Sequence, residues 1–301
     1  MAELAEFLTR PKIDAHNHMN LGMRYASYAP WAGFYIPNFP RTMDGLGEMH
    51  EVISTFTRPR CFSPKDVKDL FTLTIEDAIA DSVVVLEGSI DLQFVGHYSE
   101  DFDALLSMIV ELRDKYAENI TFKPELGLGK TFPIEKVRKW APELIKSGVF
   151  KSIDLYGPET EDGIENFKEI FQLADKYGLK KKAHVGEFSS AESVKRFIEY
   201  FELDEVQHGI RAVDDDKVLQ YLADNKIRCN VTPESNLILG AVKKLKDHPI
   251  KRMVEAGVKV TIGTDDLLFF NRSVSEQCLD LEEAGVLTKE QIFAILDDFE
   301  K

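Results

Sequence analysis

The chain has 301 residues, 44% of them hydrophobic and 30% charged, and its 37 Lys and Arg stand against 52 Asp and Glu for a formal net charge of −15. That is the composition of an ordinary folded protein, and the acidic excess argues against a nucleic-acid backbone as main partner, since phosphate binding needs clustered cations. No run is more basic than Lys180-Lys181-Lys182, no stretch approaches the roughly 20 apolar residues of a membrane span, and the N-terminal MAELAEFLTRPK lacks the pattern of a secretory signal. Cys61, Cys229 and Cys278 are too scattered for a disulfide framework or a thiolate cage. A cytoplasmic protein without nucleic-acid or membrane partner is expected.

The first predicted strand, Lys12–His16, runs into His16-Asn17-His18. Residues 20–61 then form a long insertion holding Tyr25, Tyr28, Trp31, Phe34, Tyr35 and Phe39 with Pro30, Pro37 and Pro40. It is too apolar for a disordered linker. It reads equally as a lid over a site or as a docking surface, because long structured loops are often functional. Ser63-Pro64 with Asp66 marks a helix start, and Val67, Leu70, Phe71, Ile75, Ala78 and Ile79 follow at helical spacing. A strand at Ser82–Leu86 precedes a second helical stripe, Phe102, Leu105, Leu106, Ile109, Leu112 and Tyr116. Strands at Ile120–Leu126 and Phe150–Leu155 flank a helix that Pro142 is expected to kink or end. Ile164, Phe167, Phe171 and Ala174 make a third stripe, stopped by Gly178. After a strand at Lys181–His184, Ser189 and Glu192 read as a capping box ahead of Val194, Phe197 and Ile198. The last strands are Glu205–Gln207, Ile227–Val231 and Lys259–Ile262.

Eight short apolar strands alternating with amphipathic helices predict a (β/α)8 TIM barrel, a single domain over residues 1–301 with residues 20–61 inserted as a lid-like segment. No glycine-rich phosphate loop opens any helix. In such barrels the reactive groups stand at the C-terminal ends of the strands. Here those ends carry His16 and His18, His184, His208, and Asp265-Asp266. Alternate residues share a face of a strand, so His16 and His18 can point at one ion. Each of these residues alone has an ordinary structural explanation, but together they offer imidazoles and a carboxylate at one end of one architecture. That donor set suits a zinc ion with a place left for water. Asp265 and Asp266, being adjacent, are expected to diverge.

The set H-N-H at His16–His18, H-V-G-E at His184–Glu187, V-Q-H-G at Val206–Gly209, V-T-P-E-S-N at Val231–Asn236 and T-D-D at Thr264–Asp266 resembles the adenosine deaminase family of the amidohydrolase superfamily. I-D-L-Y-G at Ile153–Gly157 resembles its fourth-strand motif. The resemblance implies one Zn2+ per chain, bound by His16, His18, His184 and Asp265. It implies that Glu187 shuttles protons and that His208 orients and stabilises the attacking hydroxide. Asp266 would accept a hydrogen bond from a ring nitrogen of the substrate, and the Gly157 backbone would meet another ring edge. The reaction implied is hydrolytic removal of an exocyclic amino group from a purine-like heterocycle such as adenosine or adenine, with release of ammonia.

Several positions depart from that pattern. Asn20 stands where an acidic residue normally contacts ribose, Leu267 where a proline is usual, and the aromatic insertion replaces the familiar substrate loop. One alternative is another amidohydrolase acting on an amide, ester or lactone with two metals. Such enzymes commonly bridge the metals with a lysine at the end of the fourth strand, where this chain has Asp154-Leu155-Tyr156-Gly157. A second is a non-catalytic barrel that binds a ligand, for which a proton shuttle would be superfluous. The cytidine-type H-x-E with P-C-x-x-C and the protease H-E-x-x-H are both absent.

Overall fold

A computed structural model describes residues 2–33 and 36–299; Phe34 and Tyr35 of the aromatic insertion lie outside the described residues. Eight parallel strands follow one another around a single sheet: β1 Lys12–His18, β2 Val83–Asp91, β3 Thr121–Gly129, β4 Ser152–Tyr156, β5 Lys180–Val185, β6 Glu205–His208, β7 Arg228–Val231 and β8 Val260–Ile262. All eight predicted strands are present, and β1 to β3 extend further toward their C-terminal ends than expected. The sheet closes through a parallel bridge between Asn17 and Asp265, with Asp265 N donating to the His16 carbonyl at 2.7 Å. The molecule is therefore the expected TIM barrel.

The helices form where apolar spacing and caps coincide. Pro64–Ala80 starts at Ser63, whose hydroxyl accepts from Asp66 N while the Asp66 carboxylate accepts from Ser63 N at 2.9 Å. It buries Val67, Leu70, Phe71, Ile75 and Ala78, each contributing about 1.5–3 kcal/mol for a full-sized side chain and less for alanine. Two local expectations are revised. The helix Ile134–Lys146 does not end at Pro142 but continues past it, because Val137, Trp140, Ala141, Leu144 and Ile145 bury one continuous stripe. That burial outweighs the roughly 3 kcal/mol that an internal proline costs. The helix Ala191–Phe201 is capped by Ser190, which accepts from Ser193 N, and not by Ser189. The Ser189 hydroxyl instead donates to Glu159 at 2.7 Å.

The Lys180–Lys182 run is no surface patch. Lys182 is fully buried inside the barrel, with its Nζ 2.7 Å from both Glu87 and Glu125 and 3.5 Å from Glu205. Arg228 adds bonds to Glu87 and Glu205 at 2.8 and 2.6 Å. This charged layer crosses the barrel below His184, since residues two apart on a strand face the same side. Among the described residues no helix is long and apolar enough to cross a membrane.

The insertion folds over the C-terminal mouth of the barrel as helices Tyr25–Ala32 and Gly45–Val52, a π turn Ile53–Thr57 and a 3-10 turn Arg58–Arg60. It is tied down at several points. Met43 N donates to the Ile238 carbonyl at 2.7 Å, Trp31 Nε1 to Asp69 at 3.0 Å, and Arg41 to Glu234 and the Phe270 carbonyl. Phe39 packs edge-on against Phe269 at 4.5 Å.

Candidate active site

Strand β1 carries a bulge between Asp14 and Asn17, which pair with consecutive-but-one residues Leu86 and Gly88 of β2. Bulges re-aim side chains, and this one lies at the pair of imidazoles. Asp14 anchors the region: it is buried and accepts from the Thr264 hydroxyl at 2.5 Å and from Thr264 N at 3.2 Å. The T-D-D loop is thereby fastened to β1. A Cβ on Gly263 would lie 2.7 Å from the His16 Cβ, so glycine is what allows the loop to pass this close.

His16, His18 and His184 bring ring nitrogens together, and Asp265 joins them through its carboxylate. His16 Nε2 is 3.1 Å from His184 Nε2 and 3.8 Å from Asp265 Oδ1; His18 Nε2 is 3.6 Å from Asp265 Oδ1. His16 Nδ1 faces the Asn230 carbonyl at 3.0 Å, and His184 Nδ1 faces Asp154 at 3.1 Å. Both acceptors draw an N–H onto Nδ1, which leaves the two Nε2 atoms to share one cation, a metal ion or a proton on His184. Two lone pairs at that distance repel unless a cation lies between them. Ligands at about 2.0–2.1 Å around a tetrahedral ion are roughly 3.3 Å apart, close to the separations observed. The donor set fits a divalent transition metal of the zinc type.

Charge supports the same conclusion. Burial, reinforced by His184, lowers the His16 pKa to about 3, and burial lowers that of His18 to about 4 against the pull of Asp265. Burial would also lower His184, but Asp154 overrides it and raises the pKa to about 9. The pocket thus favours one positive charge shared among neutral rings.

Glu187 and His208 stand beside this cluster, with His208 Nε2 3.6 Å from Glu187 Oε2. Both are 2% exposed. Burial, then the charges of Asp265 and Glu159, push the Glu187 pKa well above its ordinary value, toward the neutral carboxyl. Its loop is organised by Glu159, whose carboxylate accepts the backbone N–H groups of Gly186, Glu187, Phe188 and Ser189 at 2.9–3.1 Å. Asn236 Nδ2 donates to Glu187 Oε1 at 2.6 Å and lies 3.2 Å from His208 Nδ1.

Asp265 and Asp266 do not diverge as expected. Asp265 takes a left-handed backbone (φ 56°), and both carboxylates fall in one group with His18. Burial and then Asp265 raise the Asp266 pKa well above normal. Asp266 Oδ1 has no hydrogen-bond partner among the described residues.

A cavity of about 600 Å³ opens over the cluster, and His18, Asn20, Gly157, His184, Glu187, His208, Asp265 and Asp266 all line it. His16 lies just beneath. Gly157 has φ 111°, a conformation that other residues rarely adopt, and its backbone is exposed along the wall. The insertion roofs the cavity with Tyr28, Leu46, Met49, Ile53, Thr57 and Arg58. The nine residues singled out from sequence thus come together. Asp154, Glu159, Asn236 and His248, which hold them, were not assigned roles. Asp154 carried a usable signal, a charge on the interior phase of an apolar strand; His248 carried none.

A family model described as adenosine deaminase matches residues 55–297. A protein of Treponema pallidum (strain Nichols), provisionally named an adenosine/adenine deaminase, is 52% identical over 296 residues, 98% of this chain and 99% of its own length. An adenine deaminase of Crocosphaera subtropica is 29% identical over 231 residues, 76% of this chain and 71% of the relative. Among solved structures, adenine deaminase from Arthrobacter aurescens shares the fold with a TM-score of 0.81 at 19% identity, over 96% of this chain and 92% of that one. A zinc-bound amidohydrolase from Burkholderia ambifaria does so with a TM-score of 0.80 at 18% identity, over 98% and 86% of the two chains.

Proposed function

The chain belongs to the adenosine deaminase family, and we propose that it hydrolyses the exocyclic amine of a purine nucleoside or base, releasing ammonia, with one zinc ion bound by His16, His18, His184 and Asp265. The single observation that carries this reading is the convergence of those four side chains beside a buried carboxyl, Glu187, whose pKa burial raises. When bound, such an ion lowers the pKa of water to roughly 7 and so supplies a nucleophile at neutral pH.

The chain's own groups account for the rest of the reaction. Attack on the amino-bearing ring carbon requires that the adjacent ring nitrogen gain a proton. Glu187 donates that proton from its neutral carboxyl, then takes one from the attacking water and passes it to the departing amine. As the C–N bond breaks and ammonia leaves, the remaining hydroxyl proton returns to Glu187, which regains its neutral carboxyl, and the ring keeps a carbonyl. His208 presents Nε2 toward Glu187 and the nucleophile. Asp266, with an unpaired buried oxygen on the cavity wall, accepts from the heterocycle, and the Gly157 backbone meets another edge. Asn20 lines the same cavity and would meet a substituent on the purine, under the roof formed by Tyr28, Leu46, Met49, Ile53, Thr57 and Arg58.

The two-metal alternative loses ground on geometry. Asp154 of β4 supports His184, and Lys182 is committed to three glutamates deeper in the barrel. Ammonia release from adenosine, adenine and other aminopurines, measured with protein of known metal content, tests the proposal. Turnover of none of them by protein holding one zinc per chain would refute it.

A further inference from the structure

His248 is 3% exposed and touches no substrate-lining surface, yet it ends a chain of hydrogen bonds that reaches Glu187 and His208. The polarity of that chain can be read from one unambiguous donor. The backbone N–H of Ile250 points at His248 Nδ1 at 3.1 Å. A backbone amide can only donate, so Nδ1 carries a lone pair and the ring proton sits on Nε2. Nε2 lies 3.2 Å from Asn236 Oδ1, to which it therefore donates. Asn236 is thereby held with its oxygen toward His248 and its amide nitrogen toward the active site.

That orientation decides two things at once. One Asn236 N–H is directed at Glu187 Oε1, 2.6 Å away, so Oε1 is an acceptor and a proton taken up by this carboxyl is left to Oε2. Oε2 is the oxygen that faces His208 Nε2. The other N–H approaches His208 Nδ1 at 3.2 Å, where the Thr232 hydroxyl also lies at 3.1 Å. His208 Nδ1 must then accept, and its proton is on Nε2. With Nε2 protonated, His208 is a donor and not a metal ligand, although it lies in a group with His16 and Asp265. Among the described residues His248 is the partner bonded to the Asn236 oxygen: a flipped Asn236 would put its oxygen against Glu187 Oε1 and reverse the His208 tautomer.

We propose that His248 is a positioning residue for the deamination, its tautomer set by Ile250 N–H and relayed through Asn236 to place the Glu187 proton on Oε2 and the His208 proton on Nε2. The inference rests on the function proposed above for its catalytic meaning, but the hydrogen-bond polarity stands independently of it. Burial lowers the His248 pKa to about 3, consistent with a neutral ring throughout the working range.

Two measurements test this. Long-range 1H–15N correlation spectra of the zinc-loaded protein labelled at histidine nitrogens report tautomers directly, with assignments from His248→Gln and His208→Gln. Both residues are expected as neutral Nε2–H forms; an Nδ1–H or doubly protonated His248 overturns the proposal whatever the enzyme acts on. For catalysis, His248→Leu removes the donor and His248→Gln keeps an N–H within reach of Asn236. His248→Leu is expected to lower kcat by about ten- to a hundredfold, with KM changed less than threefold and zinc content unchanged. His248→Gln is expected to restore most of that loss. Equal kcat in both variants, or kcat unchanged in His248→Leu, overturns the relay. If the wild-type protein releases ammonia from no aminopurine, the functional proposal fails while the tautomers still decide the polarity.

Discussion

Replacing Glu187 by Gln separates the proton shuttle from the metal site. The carboxyl is 2% exposed and pushed toward its neutral form by burial and then by Asp265 and Glu159, so the amide copies that neutral acid in size and charge. The carbonyl oxygen of Gln can still accept the Asn236 N–H that Glu187 Oε1 accepts at 2.6 Å, which preserves a hydrogen bond of about 0.5–1.5 kcal/mol. The backbone of residue 187 is held by Glu159, which the substitution does not touch. The fold and the four proposed metal donors should therefore survive. What disappears is a group that gives and takes protons, a contribution of about 10²–10⁴ in rate. At about 1.36 kcal/mol per tenfold, that is about 2.7–5.4 kcal/mol of transition-state stabilisation. The assay is initial-rate ammonia release alongside elemental analysis and thermal unfolding of the same preparation. Loss of metal in Glu187→Gln, or a kcat within tenfold of wild type, would show that the roles given to these residues are wrong.

Asp265→Ala should lose the metal on dialysis and turn over nothing, while the barrel remains closed, because the bridge to β1 uses backbone groups of residue 265; retention of one ion per chain would contradict this. Lys182→Met leaves Glu87, Glu125 and Glu205 around an apolar side chain and should cost about 3–5 kcal/mol in denaturant unfolding, with Lys182→Met/Glu125→Gln recovering part. An unchanged midpoint would remove the argument that this charged layer supports the floor of the site. His248 has a folded pKa of about 3 against 6.5 unfolded, so its contribution is fully present above pH 6.5 and is lost as pH falls toward 3. Across that window the wild type should lose up to about 1.36 kcal/mol more per pH unit than His248→Gln. Parallel stability–pH curves for the two proteins would refute it.

Much of this molecule was legible one residue at a time. Strand number and order follow from short apolar runs recurring between amphipathic helices, and a parallel barrel buries both faces of its strands. The candidate metal donors were legible because barrel chemistry is confined to strand ends, where His16, His18, His184 and Asp265 break an apolar pattern. Capping was less secure: Ser63 capped its helix as read, whereas Ser189 had a competing partner, Glu159, that no local pattern reveals. Pro142 likewise reads as a breaker until the stripe around it is seen to be buried on both sides of the ring.

What only the tertiary structure decided is which polar groups meet across the barrel. Lys182 looks like one cation in a basic run, and it becomes the centre of three carboxylates only because β2, β3 and β6 surround β5 at the right height. Asp265 and Asp266 face one cavity because a left-handed backbone at Asp265 turns them together, against the divergence that adjacency suggests. His248 reaches Glu187 through Asn236 although the two lie far apart along the chain. Periodicity records how each segment meets the core; it carries no term for the partner that a buried donor finds on another segment, and it is those partners that hold the protons where the chemistry needs them.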